Sequence, residues 1–183
     1  MADHPEHGHP GHVHDESDAI AHGTAPAPVE DKVLAVVFTS PVASYLLRYG
    51  PDVGYRTILV EPDADRRHGW ADSFEHLDQI DAAAASATDV VVTDHHRPEL
   101  GVQLRDALAA GARWVGIMGN PRVEPPHVAA LTELGVPASE ISKVHRPIGV
   151  NIGSRTPAEI AISTIAGLIA DRNGKPGGFT FPA

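Results

Sequence analysis

Three short apolar runs constrain the fold of this chain more than any other feature of its sequence. The first covers Val33–Phe38 without a polar residue, and the others lie within Asp89–Thr93 and Arg113–Met118. A strand with solvent on one face alternates polar and apolar side chains, whereas a strand of a parallel sheet is covered on both faces and is apolar throughout. The three runs therefore predict buried strands of a parallel sheet with helices covering its two faces.

Signals for helices and one more strand fill the spaces between these runs. Ser40 followed by Pro41 is a helix start, Arg56–Val60 is a further strand, and Pro98–Ala110 predicts a helix that stops at Gly111. Strands that alternate with helices are typical of βαβ units. We therefore predict an α/β fold, a Rossmann-like, doubly wound and mostly parallel sheet with helices on both faces.

The last helix has the clearest start of all. Thr156 is a good N-cap, Pro157 suits the first helical position, and Glu159 completes a capping box. Asn173 and Gly174 tolerate the left-handed backbone that ends a helix. Four apolar residues recur at helical spacing and predict one buried face: Ala158, Ile162, Ile165 and Ile169.

The loop before this helix has the residues of an anion site. Gly149 and Gly153 let the main chain turn sharply or approach a ligand, and a helix start presents unpaired N–H groups. Arg146 and Arg155 flank the loop and can contact a phosphate with two N–H groups each. The same spacing has an alternative interpretation, in which the glycines only form a turn and the arginines are exposed to solvent.

Three segments of the chain resemble known markers of one family. The segment Pro147–Ser163 resembles the C-terminal signature of the XdhC/CoxI family, accessory factors of molybdenum hydroxylases such as xanthine dehydrogenase and carbon monoxide dehydrogenase. Trp114–Asn120 resembles the second marker, a strand entering a glycine turn, with Asn120 where the family has serine. Val90–His96 resembles a third, in which polar residues follow a strand. The resemblance covers roughly Val33 to Asn173.

This resemblance implies a maturation factor without catalytic residues of its own. Such a factor would hold the molybdenum cofactor (molybdopterin, its nucleotide form left open), assist its sulfuration, and pass it to a molybdenum hydroxylase apoenzyme. It implies cofactor contacts near three turns, with His95 near the metal. The residues concerned are Asp94, His95, Gly119, Asn120, Arg146, Gly149, Gly153, Ser154 and Arg155.

The chain departs from the family pattern in two places. It has no cysteine, and none of its segments resembles the family's N-terminal domain with a cysteine motif, so we expect any sulfur to come from a separate cysteine desulfurase. The turn after the first strand, residues 38–44, has no glycine, and side chains there would crowd a pyrophosphate. This argues against conventional NAD binding and makes Glu61 a structural acid rather than a ribose ligand. The alternative function, from a different class of protein, is a nucleotide-dependent oxidoreductase.

The N-terminal residues are the basis of a third hypothesis, that the protein is a metal chaperone. Residues 1–31 hold seven acidic residues and no Lys or Arg, a composition that predicts a disordered tail before a domain of residues 32–174. Irregularly spaced histidines in the tail can bind transition metals weakly, as a metal chaperone would. The predicted metal ligands are His4, His7, His9, His12 and His14. Residues 175–183 are expected to be an extended tail.

Charge and hydropathy narrow the list of partners. The net charge of −10 argues against nucleic acid as a partner, because such proteins carry a strong basic excess. No apolar run approaches the length that spans a membrane, and the N-terminus is polar. We therefore expect a cytoplasmic protein without a membrane partner, and a homodimer would be ordinary for such a domain.

Overall fold

The computed structural model describes residues 16–26, 31–69, 73–74, 76–79 and 82–177. The chain divides into two compact units, Met1–Glu30 and Asp31–Ala183. In the first unit, helix α1 spans Glu16–Ala21. This helix lies in the range for which the composition predicted no structure. The five predicted tail ligands, His4, His7, His9, His12 and His14, lie outside the described residues.

The second unit contains a five-stranded sheet in which every neighbouring pair of strands is parallel. The strands follow the spatial order β3-β2-β1-β4-β5. Their bounds are β1 Lys32–Val37, β2 Tyr55–Val60, β3 Ser73–Phe74, β4 Thr88–Val92 and β5 Trp114–Ile117. The predicted Rossmann-like parallel sheet is confirmed, and the apolar runs form its central strands.

Helices cover both faces of this sheet. Their bounds are α2 Pro41–Tyr49, α3 Ala64–Arg67, α4 Ala82–Ala85, α5 Leu100–Ala109, α6 Pro126–Glu133, α7 Ala138–Ile141 and α8 Pro157–Arg172. Two short 3₁₀ helices lie at Pro51–Val53 and Leu77–Gln79. Among the described helices, none combines the length and hydropathy that a bilayer span requires.

Alternate residues of β1 separate the core into two layers. Leu34 and Val36 pack with α2 and α8, whereas Val33, Ala35 and Val37 pack with α5, α6 and α7. A fully buried leucine or valine contributes about 1.5–3 kcal/mol to the free energy of unfolding. Because both layers are apolar, β1 has no solvent face, which explains its uninterrupted apolar sequence.

Helix α8 begins as predicted but buries a different face. The capping box is present: Thr156 Oγ1 accepts from the Glu159 amide at 3.3 Å, and Glu159 accepts from the Thr156 amide at 3.0 Å. The buried stripe, however, contains Ala161, Ile165 and Leu168, while Ile162 is 52% exposed. The predicted face was wrong at Ile162. The helix is apolar around much of its circumference, so periodicity alone does not identify the stripe that meets the sheet.

The amino edge of the sheet contains a buried network of charges. Asp89 is fully buried and accepts hydrogen bonds from Tyr55 Oη at 2.6 Å, from Arg172 Nε at 2.8 Å and from Arg113 Nε. Arg113 also donates to Asp171 at 2.6 Å. Burial and the Asp89 charge raise the pKa of the Tyr55 hydroxyl, so it remains a donor. The network joins strands β2, β4 and β5 to the end of α8.

Candidate functional site

A cavity of about 580 Å³ lies at the carboxyl edge of the sheet, and we call it the rim cavity. Residues of the turns after β4 and β5, of the loop 147–154 and of helices α2 and α8 line it. Its volume is within the range of small-molecule sites, about 300–1,000 Å³. Five predicted site residues line it, namely His95, Gly119, Asn120, Gly153 and Ser154, whereas Asp94, Arg146, Gly149 and Arg155 do not.

The wall of the rim cavity is uncharged. Among the described residues that line it there is no Lys, Arg, Asp or Glu. Its polar groups belong to histidine, asparagine, serine and threonine side chains, and the rest is mostly aliphatic. Two of the hydroxyls are already used, since Thr93 donates to the Phe38 carbonyl at 2.9 Å and Ser163 donates to the Ile160 carbonyl at 3.0 Å. The Ser154 hydroxyl donates to the Glu159 carbonyl at 3.5 Å, and the Asn120 side-chain oxygen accepts from the Arg122 amide at 3.0 Å. The other polar side chains of the wall are those of His95 and Asn151.

His95 follows β4 and is only partly exposed. Burial lowers the pKa of its imidazole, and the nearby charges of His96 and Arg146 lower it further, against the opposing effects of Asp94 and a hydrogen bond to the Met118 main chain. Since the ordinary histidine pKa is about 6.5, the ring is neutral at pH 7. A neutral imidazole has one N–H donor and one acceptor nitrogen.

Arg146 supports the wall from outside the cavity. Its guanidinium donates to the main-chain carbonyls of Asn120 at 2.7 Å and of Val123 at 3.1 Å. It also lies against Gly119, where an added Cβ would be 2.6 Å from Arg146 Nε. Gly119 therefore makes room for the arginine, and the arginine holds the turn after β5.

The start of helix α8 is occupied by the chain's own carboxylate. Glu159 accepts from the main-chain amides of Arg155 at 2.7 Å and Thr156 at 3.0 Å. These two hydrogen bonds lower the pKa of Glu159, which is therefore ionised at pH 7. Arg155 itself is exposed. An anion at this helix start would have to compete with Glu159 for the same donors.

The glycine loop is fastened to the middle of α8 rather than to its start. Gly149 has a φ of +91°, and a Cβ there would lie 2.7 Å from Ser163 Oγ. The amide of Val150 donates to the Ser163 carbonyl at 3.0 Å. Only glycine allows this close approach in this backbone conformation. Gly153, with a φ of +69°, has open space around it and lines the cavity.

Comparison with known proteins identifies the family of this domain. The family model of the XdhC Rossmann domain matches residues 34–168, most of the chain and all three turns of the rim cavity. The chain belongs to the XdhC Rossmann domain family. This membership agrees with the sheet, whose strands and turns lie inside the matched range.

Two known proteins are similar to parts of this XdhC Rossmann domain, one in sequence and one in fold. The uncharacterized protein YqeB of Escherichia coli (strain K12) is 40% identical over 65 residues, which are 36% of this chain and 12% of YqeB. A crystal structure described as a xanthine dehydrogenase from Bacillus halodurans superposes with a TM-score of 0.59 at 20% identity. The superposition covers 79% of this chain and 45% of that chain, and it supports the fold. This chain therefore spans less than half the length of either relative.

In this XdhC Rossmann domain the turn after β1 is filled by side chains. Phe38 is fully buried with a φ of +68°, and the Arg97 guanidinium lies 4.8 Å from the centre of its ring. Arg97 donates to Glu61 at 3.0 and 3.3 Å, and Glu61 also accepts from the Thr39 amide at 2.8 Å. Dinucleotide-binding folds place their glycine turn and pyrophosphate here. The ion pair and the phenyl ring occupy that position instead.

Sequence reasoning missed Arg97 and Asn151. Asn151 lies within the glycine loop and lines the rim cavity, and its position between two glycines was the signal that could have found it. Arg97 follows the histidine pair by one residue, but its partner Glu61 is 36 residues away, a pairing that no local pattern encodes. Within the described residues, no three His, Asp or Glu side chains gather where they could hold a metal ion.

Proposed function

We propose that this protein binds the molybdenum cofactor in the rim cavity and delivers it to a molybdenum hydroxylase. The observation that carries the proposal is the cavity itself, because the three turns that form it are the three segments that resemble the XdhC/CoxI markers. Membership of the XdhC Rossmann domain family supports the same role. The neighbour described as a xanthine dehydrogenase points to the same kind of client.

The residues present fit the cofactor in size and in chemistry. A pterin is a flat ring with several polar atoms, and the wall offers neutral donors and acceptors from His95, Asn120, Asn151 and Ser154. When bound, the metal centre supplies the redox chemistry of the client hydroxylase. The residues of this chain hold the ring, orient it and exclude water from part of it. Arg146 keeps the turn after β5 in place.

The sulfur of the mature cofactor requires a second protein on this proposal. A persulfide forms on a cysteine thiolate, and this sequence has no cysteine. We therefore assign sulfur donation to a separate cysteine desulfurase, with this chain presenting the cofactor to it. Measured sulfuration of the client by both proteins together, and by neither alone, is the expected outcome.

The filled turn after β1 weighs against the oxidoreductase alternative. A dinucleotide would have to displace Phe38 and break the ion pair of Arg97 with Glu61. Breaking a buried ion pair costs about 3–5 kcal/mol. Calorimetry with NAD, NADP and flavins tests this alternative, and we expect no micromolar affinity. The metal-chaperone hypothesis depends on tail histidines outside the described residues and stays a prediction.

Capture of the cofactor in a living cell tests the proposal. The full chain is produced in a host that makes the cofactor and is purified without oxygen, and bound molybdenum and pterin are measured. Asn151→Trp places a large side chain at the cavity wall, whereas Asn173→Trp makes the same change at the far end of α8. We expect pterin with the wild type and Asn173→Trp and little with Asn151→Trp. Absence of pterin from the wild type would refute the proposal.

A further inference from the structure

Within the part of the chain that the structure describes, Arg146 is a cation without a counter-ion. Its two terminal amino groups donate to main-chain carbonyls, which are neutral, and no described carboxylate forms an ion pair with it. Its Nε atom is buried and has no hydrogen-bond partner. This atom lies against Gly119, a residue that lines the rim cavity. These residues therefore leave a positive charge uncompensated directly behind the wall, where water screens it less than it screens a surface charge.

The turn after β5 also has free main-chain donors. On either side of them, the Met118 amide donates to the Val92 carbonyl at 2.9 Å, and the Arg122 amide donates to the Asn120 side chain at 3.0 Å. Between these two hydrogen bonds, the amides of Gly119 and Asn120 donate to no atom of the described residues. Both residues line the rim cavity. Successive free N–H groups are typical of anion sites, and the charge behind them favours the same kind of ligand.

The side of the cavity formed by the loop 147–154 is less suited to an anion. Glu159 holds the amides of Arg155 and Thr156, and these hydrogen bonds lower its pKa and keep it ionised at pH 7. This carboxylate repels a second negative group. Arg155 is exposed, so water and salt screen its charge. The turn after β5 is therefore the place where the charges around the cavity favour a negative group.

We propose that the rim cavity binds a tetrahedral oxyanion at the turn after β5, where the amides of Gly119 and Asn120 donate to it and Arg146 supplies the counter-charge from behind the wall. This inference rests on the proposed function and names the chemistry by which the cavity holds its ligand. The oxyanion has two sources, the phosphate ester of a pterin and inorganic molybdate. Burial and the charges of His96 and Arg146 lower the pKa of His95, which agrees with an unpaired cation beside this lining residue.

Calorimetry on the full chain with matched probes tests the proposal. The probes are 6-hydroxymethylpterin, its phosphate ester and inorganic molybdate. We expect the ester to bind about 10-fold or more tightly than the uncharged alcohol, because charge-assisted hydrogen bonds are stronger than neutral ones. A ratio of two affinities in one variant is independent of any unfolded fraction of the sample. Molybdate binding that depends on Arg146, without a preference for the ester, would support the proposal with molybdate as the oxyanion.

Variants around the turn assign the effect to Arg146. Arg146→Met removes the counter-charge and should reduce the preference for the ester to about twofold or less. Arg146→Lys keeps the charge and should retain part of the preference. Gly119→Ala places a Cβ 2.6 Å from Arg146 Nε, so it should displace the guanidinium and weaken the preference as well. Arg122→Met is the matched control and should keep the whole preference, because Arg122 is an exposed cation of the same turn that does not line the cavity.

Salt distinguishes a charge behind the wall from attraction at the surface. The preference of the wild type for the ester should change by less than about threefold between low and high salt, because a partly buried charge is screened less than an exposed one. A preference that disappears in high salt, or that is lost in Arg122→Met, would overturn the inference. Retention of the full preference in Arg146→Met would overturn it too.

The remaining outcomes separate this inference from the proposed function. Equal binding of the ester and the alcohol, together with no binding of molybdate, would overturn the inference even if the chain captures pterin in cells. Failure of every probe to bind would have the same meaning. Arg146-dependent binding of an oxyanion by a chain that captures no pterin in cells would support the inference and refute the proposed function.

Discussion

The carboxyl edge and the amino edge of the sheet differ in how they use charge. At the amino edge, Asp89 is buried under Tyr55, Arg113 and Arg172, and the charges neutralise one another inside the protein. At the carboxyl edge the rim cavity has an uncharged wall, and Arg146 is bonded to main-chain carbonyls. In this domain the charged residues of the amino edge stabilise the framework, while the side chains that line the rim cavity are neutral.

The turn after β1 lies at the carboxyl edge of the sheet, but it uses charge in the same way as the amino edge. Glu61 is fully buried and pairs with Arg97, as Asp89 pairs with its arginines. A region where related folds bind a nucleotide has thus become part of the framework. The rim cavity, formed by the neighbouring turns, is the part of that edge left open.

Removing the charge of Asp89 is expected to have the largest effect. Asp89→Asn keeps the shape of the side chain but leaves Arg113 and Arg172 without their common carboxylate, which should lower the free energy of unfolding by about 3–5 kcal/mol. Urea titration measures this. Asp52→Asn, at an exposed position of the first 3₁₀ helix, is the control and should change stability by less than about 0.5 kcal/mol. A loss below about 1 kcal/mol for Asp89→Asn would contradict the comparison.

Glu61 should make stability depend on pH in the acid range. Burial favours the protonated form, but hydrogen bonds from Thr39, Arg97 and Asp63 outweigh it and lower the pKa of the carboxyl below its ordinary 4.5. A group whose pKa is lower in the folded state stabilises the fold above its unfolded pKa, and this stability is lost as the pH falls through the folded pKa. The free energy of unfolding, measured between pH 7 and pH 2, should therefore decrease below about pH 4.5.

The variant Glu61→Gln isolates this effect. It should cost about 2 kcal/mol at pH 7, because a hydrogen-bonded charge is replaced by a neutral amide, and it should flatten the acid part of the profile. Glu133→Gln, an exposed acid at the end of α6, should leave the profile unchanged. An unaltered profile in Glu61→Gln would show that other carboxylates govern acid unfolding.

Arg146→Ala should affect the ligand more than the fold. The variant loses two hydrogen bonds to the turn after β5, about 1–2 kcal/mol of stability, and leaves the wall near Gly119 free to move. Pterin affinity should fall clearly more than in Arg155→Ala. Arg146→Lys should restore only part of it, since an ammonium cannot reproduce the fork of a guanidinium. Equal pterin affinities of Arg146→Ala and the wild type would show that Arg146 does not contribute to binding.

The smallest effect is expected on the exposed side of α8. Ile162→Ala should change the free energy of unfolding by less than about 0.5 kcal/mol, because that side chain is 52% exposed. Ile165→Ala, the same change three residues later at a side chain 5% exposed, should cost about 2–4 kcal/mol. Thermal unfolding of the pair checks which stripe of the helix meets the core, and reversed magnitudes would place the buried face where the periodicity predicted it.

The sequence by itself determined the elements and the order in which they occur. The apolar run at Val33–Phe38 became β1, and the capping box at Thr156 and Glu159 was predicted correctly, because its partners are three residues apart. Signals of this kind are local, so the residues that produce the structure are next to one another in the chain. The position of the rim cavity also followed, since the carboxyl ends of parallel strands meet at one edge.

Only the tertiary structure decided how each polar side chain is used. Arg146 contacts carbonyls 23 and 26 residues earlier in the chain, and Arg97 pairs with Glu61 across 36 residues. The same holds for the stripe of α8 that is buried, which depends on where the helix lies against α2 and the sheet. A polar side chain of a given type can pair with many different partners. The packing of the helices against the sheet decides which of these partners it contacts. For that reason the sequence predicted arginines at the site, whereas in the folded chain neither Arg146 nor Arg155 lines the rim cavity.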